Sequence, residues 1–410
     1  MKRVSIIVPT HNRSYSLKRL LDNLACQTYS ASLMEVIIVA DGCTDATLQM
    51  LQQYLPVFKL QYFEQPGLGA ATARNTGAAA AGGEVLLFLD DDIEPSPGLV
   101  MAHLQAHRNL QCVVVGYLPM AMPEKASTHE INLVTWWEQK YRNMKTPGYR
   151  FGYDDLLSGN FSVSAALFNQ VGKFDNSFRC REDYELGARL INAGAQFIFS
   201  EAAWGYHRDK TTTQARLFKR RKDEGKADVK FAAKHPDLLQ RLPLAGYGHR
   251  FSFLKKAFLF VVFNQPAVTD NIAFLFLRLL KLYEKLRLRS SWHKLGGKMH
   301  QYWYVRGLTE ELNSQQALEY FFEKTQAVEG HTDLELDLVE GLVAAEELIE
   351  QYRPGSLHIN YGPHFIGKVK PLPGSEKLRG AHLRQILKTN FSQTLVHALI
   401  VEQAIKKPAE

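Results

Sequence analysis

The chain predicts an α/β fold in which a mostly parallel sheet carries helices on both faces. Short apolar, β-favouring runs recur at residues 4–8, 36–39 and 85–89, and the stretches between them place apolar residues at helical spacing. Each run also ends in polar or acidic residues. Open α/β sheets bind ligands at that carboxyl edge.

The elements follow in order. Val4 to Val8 reads as a strand ending in Pro9-Thr10-His11-Asn12, and Leu17, Leu20, Leu21 and Leu24 form the apolar stripe of a helix over Ser16 to Gln27. A second unit runs from Val36-Ile37-Ile38-Val39 through Ala40-Asp41-Gly42-Cys43-Thr44-Asp45 into a helix from about Ala46 to Tyr54. A short strand near Lys59 to Phe63 comes next, and Gly67-Leu68-Gly69 opens an Ala-rich helix through Arg74-Asn75 to Ala81. The strand Val85 to Leu89 then delivers Asp90-Asp91-Asp92 to the sheet edge. Oxygen donors one residue apart suit a hard divalent cation that binds one or two carboxylates plus substrate phosphates. A solvated turn using Asp for local hydrogen bonds is the plainer reading of the triplet alone.

Five segments in this order resemble family 2 glycosyltransferases of the GT-A fold: Val4 to Asn12, residues 40–45, Ala73-Arg74-Asn75-Thr76-Gly77, Phe88 to Asp92, and Arg181-Glu182-Asp183-Tyr184-Glu185-Leu186-Gly187-Ala188-Arg189. The resemblance covers roughly residues 2–225 and implies a Rossmann-like catalytic domain with an inverting, nucleotide-sugar-dependent activity. It assigns Pro9, Thr10, His11, Asn12, Asp41, Arg74, Asp90 and Asp91 to the nucleotide. Asp41 would accept the N–H of a uracil and His11 would stack on its face. Ala40 stands where relatives usually carry a second acid. Asp41 also fits an Asx turn, and Arg74 a simple ion pair.

Mn²⁺ or Mg²⁺ is the implied cofactor, with Asp92 as the more direct ligand, Asp90 as the second, and His207 completing the metal or phosphate shell. A surface histidine is the plain alternative for His207. Asp183 is the implied base and Glu182 positions acceptor or donor, although acids opening a helix also serve its dipole. Gly159 and Asn160 resemble the family's floor beneath the donor sugar, while Ala165 and Ala166 replace an expected Arg. Trp136 and Trp137 are candidates for stacking on a sugar ring or, more plainly, for packing.

Composition separates the rest of the chain. Residues 214–306 hold 20 Lys+Arg against 6 Asp+Glu, whereas residues 309–352 hold 12 acids and one Lys. Three regions are expected: 1–225 catalytic, 226–308 basic, amphipathic and helical, and 309–410 acidic and mostly helical. Phe253 to Phe263 and Ile272 to Leu288 interleave Phe and Leu with Lys and Arg. They suit either the surface of an anionic membrane or packing on the catalytic domain with cations reaching water. No nucleic-acid module is recognisable. Leu334, Leu336, Leu338, Leu342 and Leu348 predict helix over 309–352, followed by an extended stretch from Ser356 to Pro371 and a helix from about Ala381 to Lys406.

Met1-Lys2-Arg3 running straight into a strand, with four scattered cysteines, sets the expectation of a cytoplasmic enzyme, peripheral on the cytoplasmic membrane face. The expected reaction moves a sugar from a nucleotide-diphosphate donor, a UDP-sugar by preference, to a glycan or lipid-linked hydroxyl. A non-catalytic sugar-nucleotide-binding scaffold is the rival. A nucleotidyltransferase is the other, but it would need a Gly-rich triphosphate loop where Pro9-Thr10-His11-Asn12 stands.

Overall fold

The apolar runs become strands buried on both faces. In the computed structural model, which describes residues 2–121, 126–208, 213–248, 252–325 and 332–406, Ile6 and Val8 enter one hydrophobic core while Ile7 enters another. Alternation along a pleated strand produces that division, and both faces must then be covered by helices.

The first part of the chain runs β1 (Val4–Thr10), α1 (Ser14–Ala25), β2 (Met34–Asp41), α2 (Thr47–Gln53), β3 (Lys59–Gln65), α3 (Ala70–Ala79) and β4 (Val85–Leu89). It continues through β5 (Ile93–Pro95), α4 (Leu99–Ala106), β6 (Cys112–Tyr117), α5 (Thr128–Lys145), β7 (Asn160–Ser164), α6 (Ala165–Gln170), α7 (Glu182–Asn192) and β8 (Gln196–His207). These eight strands form one sheet in the order β3-β2-β1-β4-β7-β6-β8-β5. β7 and β5 run against the other six, so the sheet is mostly parallel as expected.

Four helices follow: α8 (Gln214–Lys234), α9 (Phe253–Asn264), α10 (Pro266–Lys285) and α11 (Arg289–Leu312). The expected boundary at residue 225 falls inside α8, because α8 lies along α11. A Cβ on Gly225 would stand 2.2 Å from the Tyr304 carbonyl oxygen, and one on Gly307 would stand 2.0 Å from that of Lys222. Two facing glycines therefore let these helix backbones touch.

The last part contains α12 (Gln315–Lys324), β9 (Asp333–Asp337), α13 (Leu342–Tyr352), β10 (Ser356–Tyr361), β11 (His364–Val369), α14 (Gly380–Ile386) and α15 (Ser392–Lys406). The expectation of helix across 309–352 is corrected here. Asp333-Leu334-Glu335-Leu336-Asp337 alternates with period two and pairs in parallel with β10, which in turn pairs antiparallel with β11. Leu336 and Leu338 are buried in a small core of their own. The acids between the leucines keep the outer face in water.

A strap joins this unit to the main sheet. Tyr153 N donates to the Gly374 carbonyl (2.7 Å), Glu376 N to that of Phe151 (2.9 Å), and Arg241 Nη1 to that of Pro373 (2.8 Å). The carbonyl of Tyr153 in turn sits 2.3 Å from where a Gly187 Cβ would stand, so α7 rests directly on this loop.

The contact of α8 with α11 yields the first test. Gly307→Val is expected to lower the free energy of unfolding by about 1–3 kcal/mol through overpacking, read as a lower urea midpoint. An unchanged midpoint would show that the helices part freely.

Candidate active site

Strands β1, β2 and β4 end side by side, which gathers Thr10, Asp41 and Asp90 at one edge. There a cavity of about 570 Å³ is lined by Pro9, Thr10, His11, Asn12, Arg13, Asp41, Arg74, Asp90 and Asp91, with Arg216 from α8. A second, of about 430 Å³, opens between Gly159, Trp137, Glu182, Asp183, His207 and the first turns of α8. Arg74, Asp90 and Arg216 line both. The two cavities form one cleft with a charged waist.

Loop 9–13 is pinned to the end of β2. Asn12, with φ 53°, accepts through Oδ1 from the amides of Thr44 (2.7 Å) and Asp45 (3.2 Å). His11 Nδ1–H donates to the Asp41 carbonyl (2.6 Å), which leaves its exposed ring beside the cavity. The Asp41 carboxylate accepts from Gln65 Nε2 (2.8 Å) and the amides of Leu68 (2.6 Å) and Gly69 (2.8 Å). Asp41 thus holds the turn that starts α3 while lining the cavity.

The acid triplet is neutralised by two arginines. Arg74, almost wholly buried, bridges Asp90 (2.8 Å) and Glu182 (3.0 Å). Arg13 bridges Asp91 (2.9 Å) and Asp92 (2.5 Å). Asp91 also accepts from Thr10 Oγ1 (2.6 Å), and burial, opposed by Arg13 and this bond, pushes its carboxyl up to about 6. Asp92 is buried next to the cleft, in contact with His207, which lines the second cavity. Strand pairing of Ile93 with His207 sets the His207 ring against it, with Nε2 3.2 Å from Asp92 Oδ1.

That separation bears on a metal. Two donors bound at about 2.1 Å to one divalent ion at a right angle lie about 3 Å apart. His207 and Asp92 fit that bite, although among the described residues no cluster of three His, Cys, Asp or Glu donors converges. A hard cation completed by substrate phosphates and water needs no third protein ligand.

Across the cleft, α7 begins at Glu182 after Arg181 in the left-handed region (φ 65°). Arg181 is held by Asp228 (3.2 Å) and lies over the Tyr184 ring at 4.4 Å. Asp183 accepts from the Tyr184 amide (2.9 Å), and burial, then the charge of Glu182, pushes its carboxyl up to about 6 despite Arg220 and Arg74. Glu185 and Arg189 serve the fold instead. Glu185 is fully buried and meets Arg189 (2.5 Å), Lys234 (2.7 Å) and His235 (3.2 Å).

Two expected sugar contacts are not brought to the cleft. Asn160 is buried, donating to the Ala203 carbonyl (2.9 Å) and bonded to His103 (2.8 Å), because its place in β7 turns it inward. Trp136 lies outside the cavity, edge-on to Trp137 at 4.8 Å, and Trp137 alone of the pair lines it. Gly159 stays in place. A Cβ there would stand 2.9 Å from Asp90 Oδ2. Sequence reasoning missed Arg13, Arg216, Lys219 and Arg220; the last three share one face of α8 at the i, i+3, i+4 spacing, a signal that was present.

With this geometry in hand, residues 5–170 match the family model described as glycosyl transferase family 2. Over this stretch, which is less than half of the chain, the sequence is similar to that family. The chain is 30% identical over 279 residues to a validoxylamine A glucosyltransferase of Streptomyces hygroscopicus subsp. jinggangensis, covering 58% of this chain and 62% of that protein. It is 34% identical over 207 residues to the glycosyltransferase AglE of Haloferax volcanii, covering 50% and 66%. An uncharacterized glycosyltransferase of Haemophilus influenzae is 43% identical over 204 residues, covering 46% and 62%. The matches thus span about six-tenths of these relatives' length. Among solved structures, a mannosyltransferase from Pyrobaculum calidifontis in complex with GDP-Man and Mn²⁺ aligns at a TM-score of 0.47 and 18% identity, over 75% of this chain and 86% of that one.

The helix that carries Asp183 is held in place through Glu185, which yields the second test. Burial raises that carboxyl's pKa, but hydrogen bonds from His235, Arg189 and Lys234 outweigh it and hold it at about 2. A depressed carboxyl stabilises the fold above its unfolded value of ~4.3 and loses that contribution as pH falls towards about 2. Glu185→Gln should remove on the order of 3 kcal/mol at pH 7, and its urea-unfolding curve should be flatter than wild type between pH ~5 and ~2. Parallel pH curves would contradict the assignment.

Proposed function

We propose that the chain transfers a sugar from a nucleotide-diphosphate donor, by preference a UDP-sugar, to the hydroxyl of a glycan or lipid-linked acceptor at an anionic membrane surface, inverting the anomeric centre. One observation carries the reading. The cavity under loop 9–13 and the cavity under Asp183 meet at Asp90, Arg74 and Arg216. A donor in the first therefore presents its diphosphate at the waist and its sugar towards Asp183. His11 and Asp41 flank the base, and Arg13 and Arg216 offer guanidinium groups to phosphate oxygens.

Asp183 then takes the proton of the acceptor hydroxyl as that oxygen attacks the anomeric carbon from the side opposite the leaving diphosphate. A carboxyl near 6 is ionised at neutral pH and still basic enough for the role. Glu182, tied to Arg74, keeps the waist ordered. Asp92 and His207 would hold Mn²⁺ or Mg²⁺, with substrate phosphates and water completing its shell, and the ion would supply charge neutralisation of the diphosphate. A non-catalytic scaffold would have no use for a carboxyl so placed.

Asp183→Asn is expected to lower turnover by about 10²–10⁴-fold with little change in UDP affinity measured by calorimetry. In the wild type, turnover should fall about tenfold per pH unit below about 6, since the base must be unprotonated. Near-normal turnover of the variant would exclude Asp183. Chelator should abolish release of UDP from donor, and Mn²⁺ or Mg²⁺ should restore it. Full activity in excess chelator would remove the metal from the reaction.

A further inference from the structure

Among the described residues, large apolar side chains are exposed in a series along α9 and α10. Along α9 and α10, Phe260 is 61% exposed, Val268 53%, Phe274 55% and Leu275 61%, with Val261 and Ile272 exposed beside them. The two helices meet at a bend of 107°, and no single helix among the described residues is long and apolar enough to cross a membrane. From Ala257 to Leu277 the chain carries one charge, Asp270. Lys255 and Lys256 stand before this stretch, and Arg278, Lys281, Lys285, Arg287 and Arg289 after it.

The two carboxylates in the region are drawn inward. Asp270 is bonded to Arg306 (2.9 Å) and Tyr302 (2.5 Å) of α11, and Glu284 accepts from the Thr128 amide at the start of α5 (2.9 Å). The outward surface is therefore apolar at the bend and cationic away from it. Only Thr269, Ala273 and Leu280 of α10 are buried. An exposed apolar patch of this kind marks an interaction site, and cations flanking it select a partner with an anionic surface and an apolar interior.

We propose that the α9–α10 elbow is a monotopic membrane wedge that inserts its bend into one leaflet of an anionic bilayer while the flanking lysines and arginines stay at the phosphate level. This rests on the membrane placement proposed above and adds the mode of attachment. The twelve residues from Pro266 to Leu277 extend about 18 Å as helix, less than the ~30 Å hydrocarbon core. Insertion is therefore one-sided. Burial of Phe and Leu holds the wedge after salt has screened the charges.

The test uses the full chain with vesicles of phosphatidylcholine containing 30% phosphatidylglycerol, and with pure phosphatidylcholine, read by flotation. Preferential capture by the anionic vesicles, with most of the protein still bound after a 1 M NaCl wash, is expected. Leu275→Glu combined with Phe260→Glu should weaken partition at least tenfold and make the remainder salt-labile. Lys281→Glu with Lys285→Glu should slow capture without making it salt-labile. Far-UV circular dichroism and an unchanged urea midpoint report that each variant is folded, and UDP binding is scored separately, so a failed donor reading is separable from a failed wedge. Complete release by salt, or no capture by a folded protein, would overturn it. So would a dimer in solution that Leu275→Glu dissociates while vesicle capture stays absent, because the elbow would then cover a second copy.

Discussion

One buried guanidinium holds the two halves of the cleft together. Arg74 belongs to α3 and reaches Asp90 at the end of β4 and Glu182 at the start of α7. Asp90 lies 16 residues from Arg74 in the sequence, whereas Glu182 lies 108 residues away, so this one side chain ties α7 to the edge of the sheet. Removing a charge from such a setting would leave the remaining carboxylates uncompensated, which is costlier than the pair is worth when intact. Arg13 repeats the device one step back, between Asp91 and Asp92. Four acids can crowd one sheet edge because two arginines are interleaved with them.

The rest of the scaffold acts on α7. Its first residues face the cleft, its middle rests on the Tyr153 carbonyl through Gly187, and its inner face is fixed by Glu185. The loop beneath it is itself paired with the strap at Gly374 and Glu376. Packing of the acidic C-terminal unit thus reaches within one helix turn of Asp183. The acidic character of that unit is a solvated outer face, as the alternation in β9 shows.

What was legible in the sequence depended on how local its cause was. Strands β1, β2 and β4 were legible because a run buried on both faces is apolar throughout, and the polar residues that end them, Thr10, Asp41 and Asp90, because sheet topology sends all three ends to one edge. His207 comes to stand beside Asp92 through the pairing of β5 with β8, a long-range contact that no local pattern announces. Asn160 misled because its partner His103 lies 57 residues away and nothing local tells an inward-facing amide from an outward one. The helix expected over residues 309–352 is present as α12 and α13 but gives way to strand β9 for a different reason. Leucines at 334, 336 and 338 fit period two, and the partner that makes this run a strand, β10, lies about 20 residues further on.

The basic segment combines both lessons. Its charge was visible as a block, but the block has two destinations. Arg216, Lys219 and Arg220 turn into the cleft on the first turns of α8, while the cations of α10 face outward around an apolar bend. The dividing agent is the close contact of Gly225 with Gly307, which seats α8 on α11 and commits one face of α8 to the bundle. The face left over is the one that meets the cleft. A single helix pair thereby places Arg216, Lys219 and Arg220 at the cleft, while Arg278, Lys281 and Lys285 of α10 stay on the outer surface.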